Sequence, residues 1–157
     1  MVSVKSDTIA AIATPPGQGG IGIIRISGAD SYAVGRRIFV RAGKGENPGK
    51  KFTENCHPKA RHLYYGYIVD TEGRELDEVL ISFMPAPYTY TFEDVVEINA
   101  HGGVVPLGNI LKIITGMGVR LAEPGEFTKR AYLNGRIDLL QAESVMSVVN
   151  ARSAGGL

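Results

Sequence analysis

The fold is decided by residues 21–27, IGIIRIS, in which four isoleucines surround a single arginine, Arg25. A short β-branched run of this kind predicts a largely buried strand. Residues 15–20 (PPGQGG) precede it as a rigid and then permissive loop. Before that loop, the apolar residues 8–14 (TIAAIAT) predict another strand, which must end at the two prolines. The chain therefore opens with two strands joined by a glycine-rich connection.

Strand-like and helix-like patterns then alternate along the chain. We predict a helix that Asp30 caps and that carries Tyr32, Val34, Ile38 and Phe39. Further helices are predicted at residues 102–117 and 128–133, and further strands at residues 62–70, 78–84, 93–99 and 119–122. Residues 41–60 lack periodicity and are expected to form a long surface loop. The pattern predicts an α/β (α+β) fold in which helices pack on a mixed β-sheet.

Composition limits the class of protein. The 157 residues suit one domain, and 17 Lys and Arg against 16 Asp and Glu give a net charge of +1. That balance disfavours a broad basic face for nucleic acid but leaves a local basic patch open. Cys56 is the single cysteine, so no internal disulfide or zinc cluster is expected. With no secretory start and no long apolar run, we expect a cytoplasmic protein without a membrane-spanning helix.

The last stretch of the chain differs from the rest. Asp138 is expected to cap a helix whose apolar stripe, from Leu139 to Val149, is broad for the end of a small domain. Such a helix usually docks on a neighbouring element. We therefore expect residues 1–136 to form one domain and residues 137–157 to begin a truncated helical domain.

Residues 17–22 (GQGGIG) match the spacing of a dinucleotide-binding loop, but a strand pattern follows them where that motif requires a helix. The glycines more plausibly permit a tight connection between strands and the close approach of a ligand to the backbone, for example at Gly19 and Gly20. No phosphate-binding G-x-x-x-x-G-K-[ST] motif is found in the sequence.

An unpaired charge on a half-buried strand costs free energy, so the charged side chains on these strands each need a partner. Arg25 must either reach water at a sheet edge or capture an anion such as a carboxylate. Glu97 in a strand needs donors, which a ring with two parallel N–H groups, or an internal arginine such as Arg25 or Arg136, would supply. Glu93 and Glu97 as an acid pair for glycoside cleavage is a weaker alternative. His101 and Gly102 precede a helix, where they would either bind an anion or act as a base, or only bond backbone.

Two turn-rich, charged segments, residues 124–130 and 134–138, could converge with Arg25 and Glu97 on a pocket at one edge of the sheet.

Six blocks of this sequence together resemble the N-terminal region of one family. They are residues 7–28, 93–98 (EDVVEI), 101–103 (HGG), 124–128 (PGEFT), 130–135 and 138–143. In this order and spacing they resemble the tRNA-modification GTPases called MnmE or TrmE, over nearly the whole chain. The resemblance implies a domain similar to the tetrahydrofolate-binding domains of aminomethyltransferases, followed by a helical domain with an inserted G domain.

The resemblance also implies function. The domain is expected to form the homodimer and to bind a tetrahydrofolate derivative, 5-formyl- or 5,10-methylene-tetrahydrofolate, through Arg25, Glu97 and Arg136. The parent enzyme would act with the flavoprotein MnmG on C5 of the wobble uridine of tRNA. GTP, Mg²⁺ and K⁺ are implied only for the G domain, which this chain lacks, so no catalytic residue and no metal are expected here.

One departure from the family pattern bears on the fold. Phe92 stands where the family usually has glycine, so we expect the loop at residues 89–92 to follow a different path. Two alternative functions stay open: a stand-alone folate-dependent one-carbon transferase, using His101 or Asp94 as acid or base, and a purely structural dimerisation domain.

Overall fold

The computed structural model describes residues 7–17, 19–42, 52 and 58–150. Cys56 and most of residues 41–60 lie outside the described residues. None of the helices described is both long and apolar enough to span a membrane. The elements are β1 (Ile9–Ile12), β2 (Ile21–Ser27), α1 (Ser31–Ile38), β3 (Phe39–Arg41), β4 (Leu63–Val69), β5 (Glu75–Met84), β6 (Val95–His101), α2 (Val104–Gly116), β7 (Arg120–Leu121), α3 (Glu126–Leu133) and α4 (Leu139–Asn150).

The seven strands form one sheet in the order β3-β4-β5-β6-β2-β1-β7. All neighbours pair antiparallel except β1 and β7, which are parallel. The sheet is therefore mixed and helices pack on it, which confirms the predicted α/β class. Strand β2 lies in the interior between β1 and β6, so Arg25 is not at a sheet edge, and the reading of an edge arginine is wrong.

The hydrophobic core lies on one face of the sheet. Ile24 and Ile26 of β2 are fully buried there, and Leu107, Ile110 and Ile114 of α2 pack in the same core. Because side chains alternate between the two faces of a strand, Arg25 and Ile23 point to the opposite face. That second face is only partly covered, and it is the face on which the candidate site lies.

Strand β3 was not predicted, because Phe39 fits the helical pattern of the residues before it. The helix instead ends at Ile38, and Phe39 pairs with Ile68 of β4. Its ring is fully buried and stacks on Phe52 at a centroid distance of 5.9 Å. Tertiary burial of this ring therefore outweighs the local helical periodicity.

Several other element boundaries differ from the sequence prediction, among them those of β5, β6 and α3. Strand β5 begins at Glu75 rather than at residue 78, and β6 spans residues 95–101 rather than 93–99. Helix α3 begins at Glu126, two residues early, because the left-handed Gly125 (φ 74°) turns the chain directly into it. Glu93 lies outside β6, since the pairing of β2 with β6 ends at Ser27 and Val95, and its side chain bonds Ser27 and Arg130.

The two predicted helix caps have different outcomes. Asp138 caps α4 as expected: its carboxylate accepts the Gln141 N–H at 2.7 Å, and the Gln141 side chain accepts the Asp138 N–H at 2.9 Å. Asp30 occupies the capping position of α1, but it makes no side-chain bond to that helix. Its carboxylate instead accepts a long hydrogen bond from the Thr8 hydroxyl at 3.4 Å.

The expected change of path at Phe92 is wrong. Phe92 has φ 59°, which is the left-handed conformation that a glycine would adopt there. The loop is held by its neighbours, since the Thr89 hydroxyl donates to the Glu93 carbonyl at 2.7 Å and the Asn134 side chain donates to the Thr91 carbonyl at 2.7 Å. The loop therefore keeps the turn and Phe92 bears the conformational strain.

We expect a Phe92→Gly variant to be more stable than a Phe92→Ala variant by about 1 kcal/mol. Both substitutions remove the same ring contacts, whereas only glycine relieves the left-handed strain. Urea denaturation of the two purified variants measures the difference. Equal midpoints would show that residue 92 carries no strain.

Candidate functional site

An ion pair across two strands forms the centre of the site. Arg25 on β2 lies opposite Glu97 on β6, and its Nε and Nη2 atoms both approach Glu97 Oε1 at 2.7 Å. Each side chain is about a quarter exposed. The internal salt bridge that the sequence allowed for Glu97 is therefore present. In the described part of the chain, no donor reaches the second carboxylate oxygen, Oε2.

Arg136, the third predicted residue, lies at the same aromatic ring as Arg25, that of Tyr90. The Arg25 guanidinium lies 6.0 Å from the centre of the Tyr90 ring, and the Arg136 guanidinium lies 4.9 Å from it. Phe127 adds a second ring, 5.6 Å from the Arg25 guanidinium. The structure thus gathers Arg25, Glu97 and Arg136, which are far apart in the chain, at one place.

A cleft of about 470 Å³ opens at this place. Its lining combines residues of β1, one residue of β2, the loop that contains Tyr90, the segment 122–128 and one residue of α4. The lining residues include Ala11, Arg25, Tyr90, Pro124, Phe127 and Val145. The predicted convergence of residues 124–130 with Arg25 is confirmed, whereas Glu97 and residues 134–138 do not line this cleft. Its mostly apolar walls and single arginine would suit a flat ring with a polar edge.

A network of ion pairs lies behind the cleft. Arg130 of α3, whose side chain is 8% exposed, donates to Asp7 at 2.7 Å, to Glu93 at 3.2 Å and to Glu126 at 3.2 Å. Arg120 of β7 also pairs with Glu126, at 2.6 Å. We call Asp7, Glu93, Arg120, Glu126 and Arg130 the buried ion network after its buried members Glu93, Glu126 and Arg130, whereas the side chains of Asp7 and Arg120 are about half exposed.

The Arg120 guanidinium favours the ionised forms of two carboxylates in the buried ion network. Hydrogen bonds from the Arg120 guanidinium are the largest cause that lowers the pKa of Glu126 to about 2, against the opposing effect of burial. The same guanidinium lowers the pKa of Asp7. The Glu126 and Asp7 carboxylates therefore stay charged throughout the neutral range.

The buried ion network positions the wall of the cleft. Its ion pairs connect α3 to Glu93, the residue that follows the loop containing Tyr90. The Tyr90 hydroxyl also shares a hydrogen bond with the Thr128 hydroxyl of α3 at 2.9 Å. The ring that Arg25 and Arg136 contact is consequently held from two sides.

The glycoside-cleaving alternative loses its geometric basis. Glu93 is bound by Arg130 and by the Ser27 hydroxyl at 2.7 Å, while Glu97 is bound by Arg25. Each carboxylate thus has its own arginine, and Glu93 does not line the cleft. The pair therefore offers no acid and base facing one bond.

The other four predicted residues lie at the far end of the same strands. His101 is the register partner of Ile21, four residues from the Arg25–Glu97 pair, or about 13 Å along the strands. Gly20 and His101 line a separate shallow depression. Gly102 packs so closely on Gly19 that a Cβ atom would strike the Gly19 carbonyl. Their contribution to a ligand pocket stays a prediction.

The His101 ring is hydrogen-bonded to the carboxylate of Asp77. Its Nδ1 lies 2.6 Å from an Asp77 oxygen, and its backbone N–H donates to the same side chain at 2.9 Å. This hydrogen bond raises the pKa of His101. Asp94 accepts the Ala86 N–H at 2.8 Å, and neither side chain lines the cleft.

Sequence reasoning missed Tyr90, Phe127 and Arg130. The two rings lie in turn-rich segments, where no periodicity distinguishes a functional ring from a packed one. Arg130 had a detectable signal, because Glu126 stands four residues before it on a helix face. That spacing could not show that the Arg130 side chain is buried next to Glu93.

Comparison with known proteins gives a consistent result. A family model described as "GTP-binding protein TrmE N-terminus" matches residues 8–136. The tRNA modification GTPase MnmE of Syntrophobacter fumaroxidans is 52% identical over 160 residues, which cover 100% of this chain and 32% of that protein. The MnmE of Pediococcus pentosaceus is 54% identical over 153 residues, 97% of this chain and 31% of that protein. The chain spans about a third of the length of these curated relatives.

Proposed function

The chain belongs to the TrmE N-terminal family, and from this premise we propose that it binds a tetrahydrofolate derivative in the cleft at Arg25, with Glu97 and Arg136 beside the lining residues Arg25 and Tyr90. The bound species would be 5-formyl- or 5,10-methylene-tetrahydrofolate. When bound, such a folate supplies a one-carbon unit. The chain itself would bind and orient that carrier.

The observation that carries this proposal is that Arg25 and Arg136 meet at the Tyr90 ring while Glu97 is paired with Arg25. Hydrogen-bonding groups that these side chains leave unused within the described residues would suit a folate. Glu97 Oε2 accepts no hydrogen bond within the described residues, so it can receive N–H groups of a pterin ring. Arg136 makes no ion pair with a described carboxylate, so it can take a carboxylate or carbonyl oxygen.

The remaining walls would suit the flat part of such a ligand. Tyr90 and Phe127 offer ring surfaces, and Val145 of α4 adds an aliphatic one. A ring seated there would displace water from around the Arg25–Glu97 pair and strengthen its hydrogen bonds. Arg25 would then share its donors between Glu97 and a ligand oxygen.

We also propose the role of this domain in the parent protein. Two copies would form a homodimer through this domain in the cytoplasm. The parent would hydrolyse GTP, with Mg²⁺ and K⁺, in a G domain outside this chain. With the flavoprotein MnmG it would add a carboxymethylaminomethyl-type group at C5 of the wobble uridine of tRNA, using the folate one-carbon unit. The curated relatives carry the name of a tRNA modification GTPase, which supports this role.

A stand-alone one-carbon transferase is not favoured. It would need an acid or base at the ligand, and the two candidates are His101 and Asp94. Both are engaged with other partners away from the cleft.

Calorimetric titration with 5-formyltetrahydrofolate tests the proposal. We expect Glu97→Gln and Arg136→Ala each to weaken binding by roughly 10- to 150-fold, since each removes a charged hydrogen-bonded contact worth about 1.5–3 kcal/mol. Arg74→Ala, which removes an exposed arginine of the β4–β5 turn, is the matched control and should bind as the wild type does. A folded, dimeric wild type that binds no folate would leave a purely structural dimerisation domain.

A further inference from the structure

Charge is distributed very unevenly along this chain. Residues 31–69 hold eight of the 17 Lys and Arg residues but only two of the 16 Asp and Glu residues, a net charge of +6. The remaining 118 residues carry a net charge of −5. The near-neutral total therefore conceals one strongly basic region.

The described part of this region forms one edge of the molecule. Arg37 lies in the last turn of α1, Arg41 ends the edge strand β3, and Lys59 and Arg61 precede β4, which pairs with β3. All four are exposed. We call them the basic edge. Neither residues 31–42 nor residues 58–69 contain an Asp or Glu.

Tyr64 joins the two segments of the basic edge. The Arg41 guanidinium lies 5.2 Å from the centre of its ring, and its hydroxyl accepts the Lys59 backbone N–H at 2.7 Å. The His62 ring contacts it at a centroid distance of 4.7 Å. The buried Tyr64 thus ties the Arg41 side chain to the backbone of Lys59, which brings the two segments of the basic edge together.

No described carboxylate pairs with the cations of the basic edge. Within residues 7–17, 19–42, 52 and 58–150, none of the four cations of the basic edge makes an ion pair with a carboxylate. By contrast, Arg25, Arg74, Arg120 and Arg130 are each paired with a carboxylate. A row of exposed and unpaired cations is suited to an external polyanion.

An exposed aromatic side chain favours RNA over an acidic protein as that polyanion. Tyr88 is 77% exposed. The Arg61 guanidinium lies 5.6 Å from its ring centre and donates to its carbonyl oxygen at 3.1 Å. A ring presented beside a guanidinium is a stacking surface for an unpaired base, which an acidic peptide does not use.

We propose that the basic edge docks the sugar–phosphate backbone of RNA, with Tyr88 stacking on an unpaired base. The inference rests on the proposed function only for the choice of tRNA as the RNA that is bound. The surface is distinct from the folate cleft, since none of its residues lines that cleft.

The test is fluorescence anisotropy of labelled unfractionated tRNA titrated with the 157-residue chain at about 50–200 mM salt. A Lys59→Glu/Arg61→Glu variant should bind at least about 10-fold more weakly, with a salt slope lower by about 2, because two phosphate contacts are lost. Arg74→Glu/Lys112→Glu changes the net charge equally on other surfaces and should lose much less affinity. Tyr88→Ala should weaken binding of a single-stranded RNA by about fivefold or more.

Two results obtained with a chain that binds tRNA would overturn the inference. One is equal loss of affinity in both double variants, which would mean that only net charge matters. The other is displacement of tRNA by polyglutamate at matched charge concentration, which would identify the surface as one for acidic proteins. A wild-type chain that binds folate but does not bind tRNA also overturns this inference, and it leaves the proposed function standing. Loss of folate binding with intact tRNA binding overturns only the proposed function.

Discussion

An Arg130→Met variant is expected to lose about 3–5 kcal/mol of unfolding free energy, because the substitution leaves buried carboxylates without their partner. The side chain of Arg130 is 8% exposed, and it lies between Glu93 and Glu126, which are 11% and 9% exposed. Methionine keeps much of the volume of arginine but supplies no charge and no donor. The remaining carboxylates would repel one another in a poorly solvated place.

Urea denaturation of Arg130→Met beside Lys129→Met measures this effect. Lys129 is the neighbouring cation on the same helix, and it makes no ion pair with a described residue. Its substitution should change the unfolding free energy by no more than about 0.5 kcal/mol. A loss of less than about 1 kcal/mol for Arg130→Met would mean that solvent already screens the network.

The same substitution should also disturb the cleft that we propose binds folate. Arg130 holds Glu93 at the end of the loop that carries Tyr90, and Thr128 of the same helix bonds the Tyr90 hydroxyl. Loosening α3 would therefore free the ring against which Arg25 and Arg136 lie. Stability and ligand affinity are coupled here because one helix serves both.

The central strands could be predicted from sequence because their signals are local. The run at residues 21–27 predicted β2 with both of its bounds, since a β-branched run between a glycine loop and a turn leaves little choice. The costly charges on such strands also pointed to Arg25 and Glu97, because a charge in a half-buried strand needs a partner.

What sequence reasoning could not supply depends on contacts between distant residues. The burial of Phe39 against Phe52 and the meeting of Arg136 with Tyr90 follow from how the sheet and α3 are placed. The path at Phe92 was mispredicted for a related reason. The absence of glycine suggested a new loop path, whereas the surrounding hydrogen bonds impose the left-handed conformation on phenylalanine.

The other large effect is expected at Gly66, in the middle of β4. A Cβ atom there would strike the Val40 carbonyl oxygen of β3 and would lie 2.6 Å from the Phe39 ring. The carbonyl belongs to backbone, and the ring is fully buried, so neither can move aside without breaking the pairing of β3 with β4. We expect Gly66→Ala to cost about 3 kcal/mol or more, at or above the upper end of usual overpacking costs.

Gly108→Ala is the matched control for Gly66→Ala. Gly108 lies inside α2, its φ is not in the left-handed range, and a Cβ atom there would meet nothing within 4 Å. Alanine in a helix interior should therefore stabilise the protein by about 0.5–1 kcal/mol. Thermal or urea denaturation of the two variants thus compares the same added methyl group with opposite expected signs. If Gly66→Ala instead proves neutral, the edge strand β3 must be able to detach, and Arg41 at its end cannot be held rigidly.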